Sequence, residues 1–505
     1  MNALVKPFGR LVDALADPKR GHAAAAALIA GYVLLWWIYA LVAKHTQDIH
    51  FDMGEVVSWS LVPAFGYPKH PPFPAWVATV WFTLFPYADW AYYLLSTVSI
   101  GIALWFVWLI AASYVDGPKR AIALTLLTFS PGSNLQPLKF NSNALLIPAW
   151  AAASYLFVRS FGERTLGWGV AAGLAAAVAM LTKYWSIFLI LGFVIAALLH
   201  PKRLDYLRSP APWASAAVGA LLLAPNLASL VGYDFQPFRY ASSAHIAADL
   251  HGLLRSFGNY FAGVLYLAGG IAVMLVACRP DRAGLRDMLA PREPDRRLMW
   301  TVTLVALMAP ILLALALWTR LAALWTLPMW AMLPAVLLSS RRVTATRDAA
   351  AGVLALACAL PLIAILLSPG IAYIIHREGV PNNATHYRMI AAAVDKAWKE
   401  QVAGPLRLFG STTNIVNGAG FYLRDQPLRI DIGGPQDTPW ADDARIAREG
   451  IALVCAAEDP MCMQALVRAT AGASGTRRSE VTLSRTHFGI ADPPVRYTIA
   501  IVPPG

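Results

Sequence analysis

The apolar positions of this chain gather into long unbroken blocks, not into the short periodic stripes of a soluble fold. Stretches of spanning length occupy residues 23–43, 88–115, 119–135, 143–159, 165–181, 184–199, 212–231, 259–278, 298–318, 321–339 and 348–367. A helix needs about 20 apolar residues to cross a bilayer core, so the pattern predicts about eleven spans. From about residue 370 the pattern changes. Short apolar runs at 406–409, 428–430, 451–454 and 497–502 alternate with helical periodicities at 387–401, 414–423, 441–449 and 461–470, as in a small α/β domain. The expected fold is an α-helical polytopic membrane protein over residues 1–369 with a C-terminal soluble α/β domain over residues 370–505.

Composition agrees with this division and narrows the classes of function. Hydrophobic residues make up 58% of the chain and charged residues 14%, outside the range of an ordinary soluble domain. The net charge of +12 raises the question of nucleic acid, but the basic residues lie in short clusters between apolar blocks and form no continuous face. The expected partner is the bilayer, with no nucleic acid. The first apolar block lacks a small-residue cleavage site and is expected to stay as an anchor.

The charges also sort the gaps. Lys6, Arg10, Lys19 and Arg20, then Lys119 and Arg120, Arg159 and Arg164, Lys202, Arg203 and Arg208, Arg279 through Arg297, and Arg341, Arg342 and Arg347 occupy every second gap. This is the positive-inside pattern of a chain whose N-terminus is cytoplasmic. An odd number of spans then puts the C-terminal domain outside. The alternate, outer gaps hold few cations, among them Lys69, Lys139, Lys183 and Arg320. Each can be a snorkelling anchor. Lys183 and Arg320, in very tight outer turns, can also form a pocket for an anion.

The densest chemistry is in the first outer loop, residues 44–87. Asp52 and Glu55 are three apart and share a face on a short helix, whose pattern suits a helix lying on the membrane surface with its apolar face down. The bland alternative is an N-capping Asp completed by Glu55. Lys69-His70-Pro71-Pro72 follows, a rigid extended step whose imidazole can ligate a metal, bind phosphate or solvate the interface. Further on, Lys139, Asn141 and Asn143 offer a cation and two carboxamides that can bind sugar hydroxyls or cap the next helix. The loop 410–414, Gly-Ser-Thr-Thr-Asn, follows a strand and opens a helix, either as an anion site or as an ordinary N-cap. Of four cysteines, Cys455 and Cys462 can form a disulfide if their domain is extracytoplasmic, or remain thiols. No Cys/His motif of a structural metal centre is present.

Phe51-Asp52-Met53-Gly54-Glu55, Trp59-Ser60 and Gly66-Tyr67-Pro68-Lys69-His70-Pro71-Pro72-Phe73 resemble the first outer loop of the membrane glycosyltransferases of the C fold (GT-C). That superfamily holds the protein O-mannosyltransferases and the lipid A aminoarabinose transferases. Leu138-Lys139-Phe140-Asn141-Ser142-Asn143 and Met180-Leu181-Thr182-Lys183-Tyr184-Trp185 resemble later segments of the same bacterial enzymes. The match is good over the first two hundred residues, topological over the remaining membrane region and weak in the C-terminal domain.

The resemblance implies an inverting transfer of one sugar from a polyprenyl-phosphate donor to an envelope glycolipid such as lipid A or lipopolysaccharide, on the periplasmic side of the bacterial inner membrane. A protein hydroxyl is the alternative acceptor, and a flippase for a lipid-linked sugar or a non-catalytic scaffold are the alternative functions. In the resemblance Asp52 is the catalytic base. Glu55, Lys69, His70, Lys139, Asn141, Asn143, Lys183 and Arg320 are candidate substrate-binding residues. Two departures stand out: Met53 follows the aspartate where relatives commonly carry Glu, and Lys69 replaces the glutamate that precedes Pro-Pro by two positions in the aminoarabinose enzymes. The second removes an acidic metal ligand, so no metal site and no cofactor is carried over.

Overall fold

The computed structural model describes residues 6–382 and 384–505. Among the described residues, seven helical stretches are long and apolar enough to cross a membrane: Gly21–Ala43, Asp89–Tyr114, Ser142–Glu163, Ala211–Gly232, Leu250–Cys278, Pro294–Leu317 and Arg347–Glu378. Leu166–Thr182 and Tyr184–Leu199 are shorter apolar elements between them. Close approach of the backbones holds the bundle together. A Cβ added at Gly169 or Gly173 would stand 2.4 or 2.5 Å from the carbonyl oxygens of Ala211 and Ser215, so small residues let helix Leu166–Thr182 lie directly on Ala211–Gly232.

Two expected spans are built differently. The segment from residue 119 starts as helix Lys119–Thr125 and continues through 3₁₀ turns at Leu126–Phe129, Pro131–Ser133 and Gln136–Leu138. The segment expected over 321–339 is 3₁₀ from Ala323–Trp330 and α-helical only over Leu333–Leu338. The cause is proline. Pro131, Pro137, Pro328 and Pro334 each remove a backbone donor, and the freed backbone is buried in the bundle, where irregular structure is tolerated.

The last long helix, Arg347–Glu378, has 32 residues, about 48 Å at 1.5 Å per residue and well beyond a bilayer core of about 30 Å. It runs past the expected boundary at 369, and its final turns reach the C-terminal domain. Ala372 O accepts from Thr46 Oγ1 of the loop 44–87 at 3.1 Å, and a ring nitrogen of His376 meets Ile490 O of the domain at 2.7 Å.

The C-terminal domain is built on a five-stranded sheet of order β2-β1-β3-β7-β4, with β1 Leu408–Ser411, β2 Leu428–Asp431, β3 Ile451–Ala456, β4 Arg477–Leu483 and β7 Val495–Val502. β1 pairs in parallel with β2 and β3, whereas β7 is antiparallel to β3 and β4. β5 Thr486–His487 and β6 Ile490–Ala491 form a separate short ribbon. Cys455 and Cys462 are joined by a disulfide with Cα atoms 5.6 Å apart.

Candidate functional site

The loop of residues 44–87, expected from the charge pattern to be the first outer loop, is clamped between bundle and domain. Helix Phe51–Ser60 forms as expected, but it does not lie on a lipid surface: Met53, Gly54 and every residue from Val56 to Ser60 are buried. One side faces the bundle, where Tyr92 donates to Met53 O at 2.7 Å. The other faces helix Thr413–Gly420 of the C-terminal domain, so closely that a Cβ on Gly54 would fall 2.1 Å from Asn417 O. With both faces covered, only Phe51, Asp52 and Glu55 retain partial exposure. All three border one cavity of about 490 Å³.

His50 caps the helix. Its Nδ1 accepts from Asp52 N at 3.1 Å, so Asp52 is released from the capping role. The Asp52 carboxylate instead meets Lys139 Nζ at 2.8 Å and accepts from Asn141 Nδ2 at 3.1 Å. Burial alone would raise this carboxyl, but Lys139, His50 and Asn141 outweigh it and hold Asp52 below the usual carboxylate range. The group stands ionised and ready to accept a proton. Asn141 takes the capping role as well, because its Oδ1 caps helix Ser142–Glu163 by accepting from Asn143 N and Ala144 N at 3.0 and 3.1 Å.

Glu55 belongs to a second charge group. Lys69 Nζ lies 3.1 Å from Glu55 Oε1 and 3.3 Å from Asp437 Oδ2, and 5.4 Å from the centre of the Tyr240 ring. Burial raises the Glu55 carboxyl despite Lys69. Burial works against the Lys69 ammonium too, but Glu55 and Asp437 prevail and keep its proton firmly bound. This arrangement bears on a metal. An ammonium already occupies the point between the two carboxylates, and among the described residues no group of three or more His, Cys, Asp or Glu is placed to hold a metal ion. The donor set does not fit a divalent cation.

His70 borders the same cavity with its ring 5.5 Å from Trp59. Burial, reinforced by Lys183 and Lys69, pushes it down to about 3, so it is a neutral hydrogen-bonding group at ordinary pH. Lys183 donates to Asn143 Oδ1 at 2.6 Å and lies 5.2 Å from the Trp325 ring centre. Burial pushes it down to about 8, with Asp52 as the opposing influence. It forms no ion pair within 4.0 Å among the described residues, a half-buried cation behind the cavity-lining Asn143 without a counterion.

The fold thus brings Asp52, Glu55, Lys69, His70, Asn141 and Asn143 onto one cavity, with Lys139 and Lys183 directly behind it. Arg320 is placed elsewhere. It is exposed, and its guanidinium donates to Ala244 O at 3.1 Å at the end of helix Gln236–His245. Sequence reasoning missed His50, Tyr240, Asp437 and the fully buried Arg429, whose Nη1 donates to Gly54 O at 2.7 Å. Tyr240, Asp437 and Arg429 act across tertiary contacts that no local pattern marks; His50 acts locally as the N-cap two residues before Asp52, and its place ahead of the short helix is the signal that could have found it. The loop 410–414 had been noticed, and Thr413 and Asn414 do border the cavity from the domain side.

Comparison with known proteins gives the class first. Over 94% of its length the chain superposes on 97% of ArnT from Cupriavidus metallidurans bound to undecaprenyl phosphate, with a TM-score of 0.61 at 13% identity. The apo form of that protein gives 0.60 at 11% identity over the same shares. The architecture is therefore that of a GT-C membrane protein. Residues 69–228 match the family model described as dolichyl-phosphate-mannose-protein mannosyltransferase. A lipid A galacturonosyltransferase of Rhizobium johnstonii is 26% identical over 300 residues, 58% of this chain and 61% of the relative. The match thus spans about three fifths of that relative's length. The resemblance read from the outer-loop motifs is borne out as a likeness: the chain is similar in fold to ArnT and in sequence to part of the mannosyltransferase family model and to a lipid A galacturonosyltransferase.

Proposed function

We propose that this protein is an inverting glycosyltransferase that moves a single sugar from a polyprenyl-phosphate carrier to a hydroxyl of lipid A or another envelope glycolipid, on the periplasmic side of the inner membrane. The observation that carries the reading is Asp52, ionised and held by Lys139 and Asn141 on a polar cavity between the bundle and the C-terminal domain. Asp52 takes the proton of the acceptor hydroxyl as its oxygen attacks the anomeric carbon. The sugar-phosphate bond breaks on the opposite face, and the electron pair leaves with the polyprenyl phosphate. Lys183, the cation behind Asn143 without a carboxylate, stabilises the charge that develops there. His70 supplies a neutral hydrogen bond, and Lys69 orients the hydroxyl groups of the sugar.

The relative's name supports a lipid A acceptor and makes an acidic sugar the first donor to test. The disulfide between Cys455 and Cys462 supports an oxidising compartment for the C-terminal domain, in keeping with the charge asymmetry of the loops.

The test uses purified full-length protein with radiolabelled polyprenyl-phosphate galacturonate and lipid A. Wild type transfers label, and Asp52→Asn slows transfer by about 10²–10⁴-fold, the worth of a positioned general base. Unchanged transfer in the variant removes Asp52 from the mechanism. No transfer from any polyprenyl-phosphate sugar overturns the assignment.

A further inference from the structure

The bundle carries a second large cavity at the end farthest from Asp52. Helix Ser142–Glu163 has 22 residues, about 33 Å at 1.5 Å per residue. Asn141 at its start meets Asp52, whereas Arg164 at its end pairs with Asp205 at 3.6 Å. Asp205 belongs to the short helix Arg203–Leu207, which therefore sits at the opposite end of the bundle from the candidate site. Tyr206 and Leu207 of that helix line one end of an apolar groove of about 340 Å³, whose walls come from helices Leu166–Thr182, Ile187–Leu199 and Ala211–Gly232. Among the lining residues Val194, Leu198 and Ala216 are exposed, so the groove opens sideways, toward lipid.

The chemistry of the lining selects hydrocarbon over water. Water in a cavity needs polar partners, and the two polar side chains in the wall are already engaged. The Tyr206 hydroxyl pairs with Ser160 Oγ at 3.2 Å, and Ser215 Oγ donates to Gly169 O at 2.7 Å. The depth suits one acyl chain. Trp213 donates its indole N–H to Leu207 O at 2.8 Å and is 65% exposed, as an aromatic anchor at the membrane–water boundary is. From there the lining reaches Leu223, ten positions along the same helix. That is about 15 Å, half of a bilayer core of about 30 Å and so the depth of one leaflet. The mouth is basic. Lys202, Arg203 and Arg208 are exposed on and beside helix Arg203–Leu207, and none has a carboxylate within 4.0 Å among the described residues. Basic residues alone are what the positive-inside pattern gives any such loop; here they border a groove one chain deep.

We propose that this groove is a binding site for one anionic phospholipid of the leaflet opposite the Asp52 cavity, with an acyl chain in the groove and the phosphate on Lys202, Arg203 and Arg208. The site holds no reacting group and stands apart from the transferase reading. Its occupant is fixed by the two ends together: the lining takes a chain and rejects water, and the unpaired cations at the mouth favour a net negative headgroup over a zwitterionic one. Helix Leu166–Thr182, one of the walls, ends at Lys183, so a lipid held here braces the element that carries that cation.

The test uses the full-length protein in maltoside micelles, titrated with dioleoylphosphatidylglycerol or dioleoylphosphatidylcholine and read by native mass spectrometry. Wild type should bind one phosphatidylglycerol about tenfold or more tightly than phosphatidylcholine. Lys202→Gln, Arg203→Gln and Arg208→Gln should each weaken phosphatidylglycerol about fivefold, the worth of one basic residue at an anionic surface, and leave phosphatidylcholine within about twofold. Arg10→Gln, a basic residue on helix Lys6–Ala16, should match wild type. A Cβ on Gly219 would come no closer to a neighbour than 3.8 Å, from Gly173 O, so Gly219→Leu fills the groove without pushing its wall. It should weaken both lipids about tenfold or more, the worth of two or more displaced methylenes. If Gly219→Leu fails to fold, Ala216→Leu at the rim takes its place. Equal affinity of wild type for the two lipids overturns the site, as does an equal loss in Arg10→Gln, or undiminished binding in the filled groove. A lipid-free dimer of wild type that Gly219→Leu abolishes also overturns it, because a second copy of the chain is then the occupant.

Discussion

Asp48 is one of the residues through which the C-terminal domain grips the loop 44–87, and its neutralisation gives a sharp test of that grip. The carboxylate is fully buried. It accepts from Arg388 N at 2.9 Å and from Arg485 Nη2 at 3.0 and 3.1 Å. Arg388 Nε stands further off, at 3.6 Å. Asp48→Asn keeps the shape and removes the charge. Arg388 loses little, since its side chain is 57% exposed and keeps Asp89 at 2.7 Å, so its share is below about 1 kcal/mol. Arg485 loses more. Its side chain is 13% exposed and has no other carboxylate within 4.0 Å among the described residues. Leaving a buried guanidinium unpaired costs about 3–5 kcal/mol, a rise of roughly 10²–10³·⁵ in the undocked population at about 1.4 kcal/mol per decade.

Hydrogen exchange reads this directly. Asp48 N donates to Ala384 O at 2.8 Å and Ile49 N to the Tyr422 hydroxyl at 2.9 Å, so both amides should exchange faster by the same factor, while amides within the bundle keep their rates. Transfer should fall with them, because Asp48 lies four residues before Asp52. Arg485→Gln added to Asp48→Asn should recover part of the loss, a coupling that a general folding defect does not produce. Exchange within about threefold of wild type at both amides would show that the ion pair does not hold the loop.

Two further predictions concern pH. Because burial pushes Lys183 down to about 8, kcat/KM for the donor should fall above about pH 8 as the phosphate-binding cation is lost; Lys183→Arg, which stays charged, should abolish that limb, and coincident profiles would exclude Lys183 from donor binding. Burial also lowers His50 to about 4 and His70 to about 3, against about 6.5 in an unfolded chain. Between those values the unfolded state binds more protons, so this contribution to stability is fully present above about pH 6.5 and is lost as pH falls through 4 toward 3. Thermal unfolding of the solubilised protein from pH 8 to 4 should show the decline, with a shallower slope in His70→Gln; identical slopes would place His70 outside the buried set.

Much of the architecture could be read from local pattern, and the exceptions have definite causes. Strands β1, β2, β3 and β7 and the four helices of the C-terminal domain appear within a few residues of their expected places; all but Asp443–Glu449, which has no buried residue, have an apolar face buried in the domain. β4 was missed because its sequence, Arg-Arg-Ser-Glu-Val-Thr-Leu, lies at the sheet edge, is largely exposed and needs no apolar alternation. The two broken spans look helical by hydropathy, which counts residues and ignores geometry; Pro131, Pro137, Pro328 and Pro334 are the local signal against regular helices.

At the site the same division holds at the level of single residues. Asp52, Lys69 and His70 stand out because they crowd a short loop, whereas Asp437 and Tyr240 reach Lys69 from segments far along the chain. Lys69 shows what that hides. In the sequence it is a lysine where an acid is expected, and its effect is only to subtract a metal ligand. In the fold it lies between Glu55 and Asp437, one acid from the loop and one from the domain. The two carboxylates would repel one another across the cavity without it. Exchanging the acid for a lysine therefore does more than remove a ligand: it places a fixed positive charge where two separately folded parts of the chain would otherwise present like charges, and so joins the domain to the loop that carries Asp52.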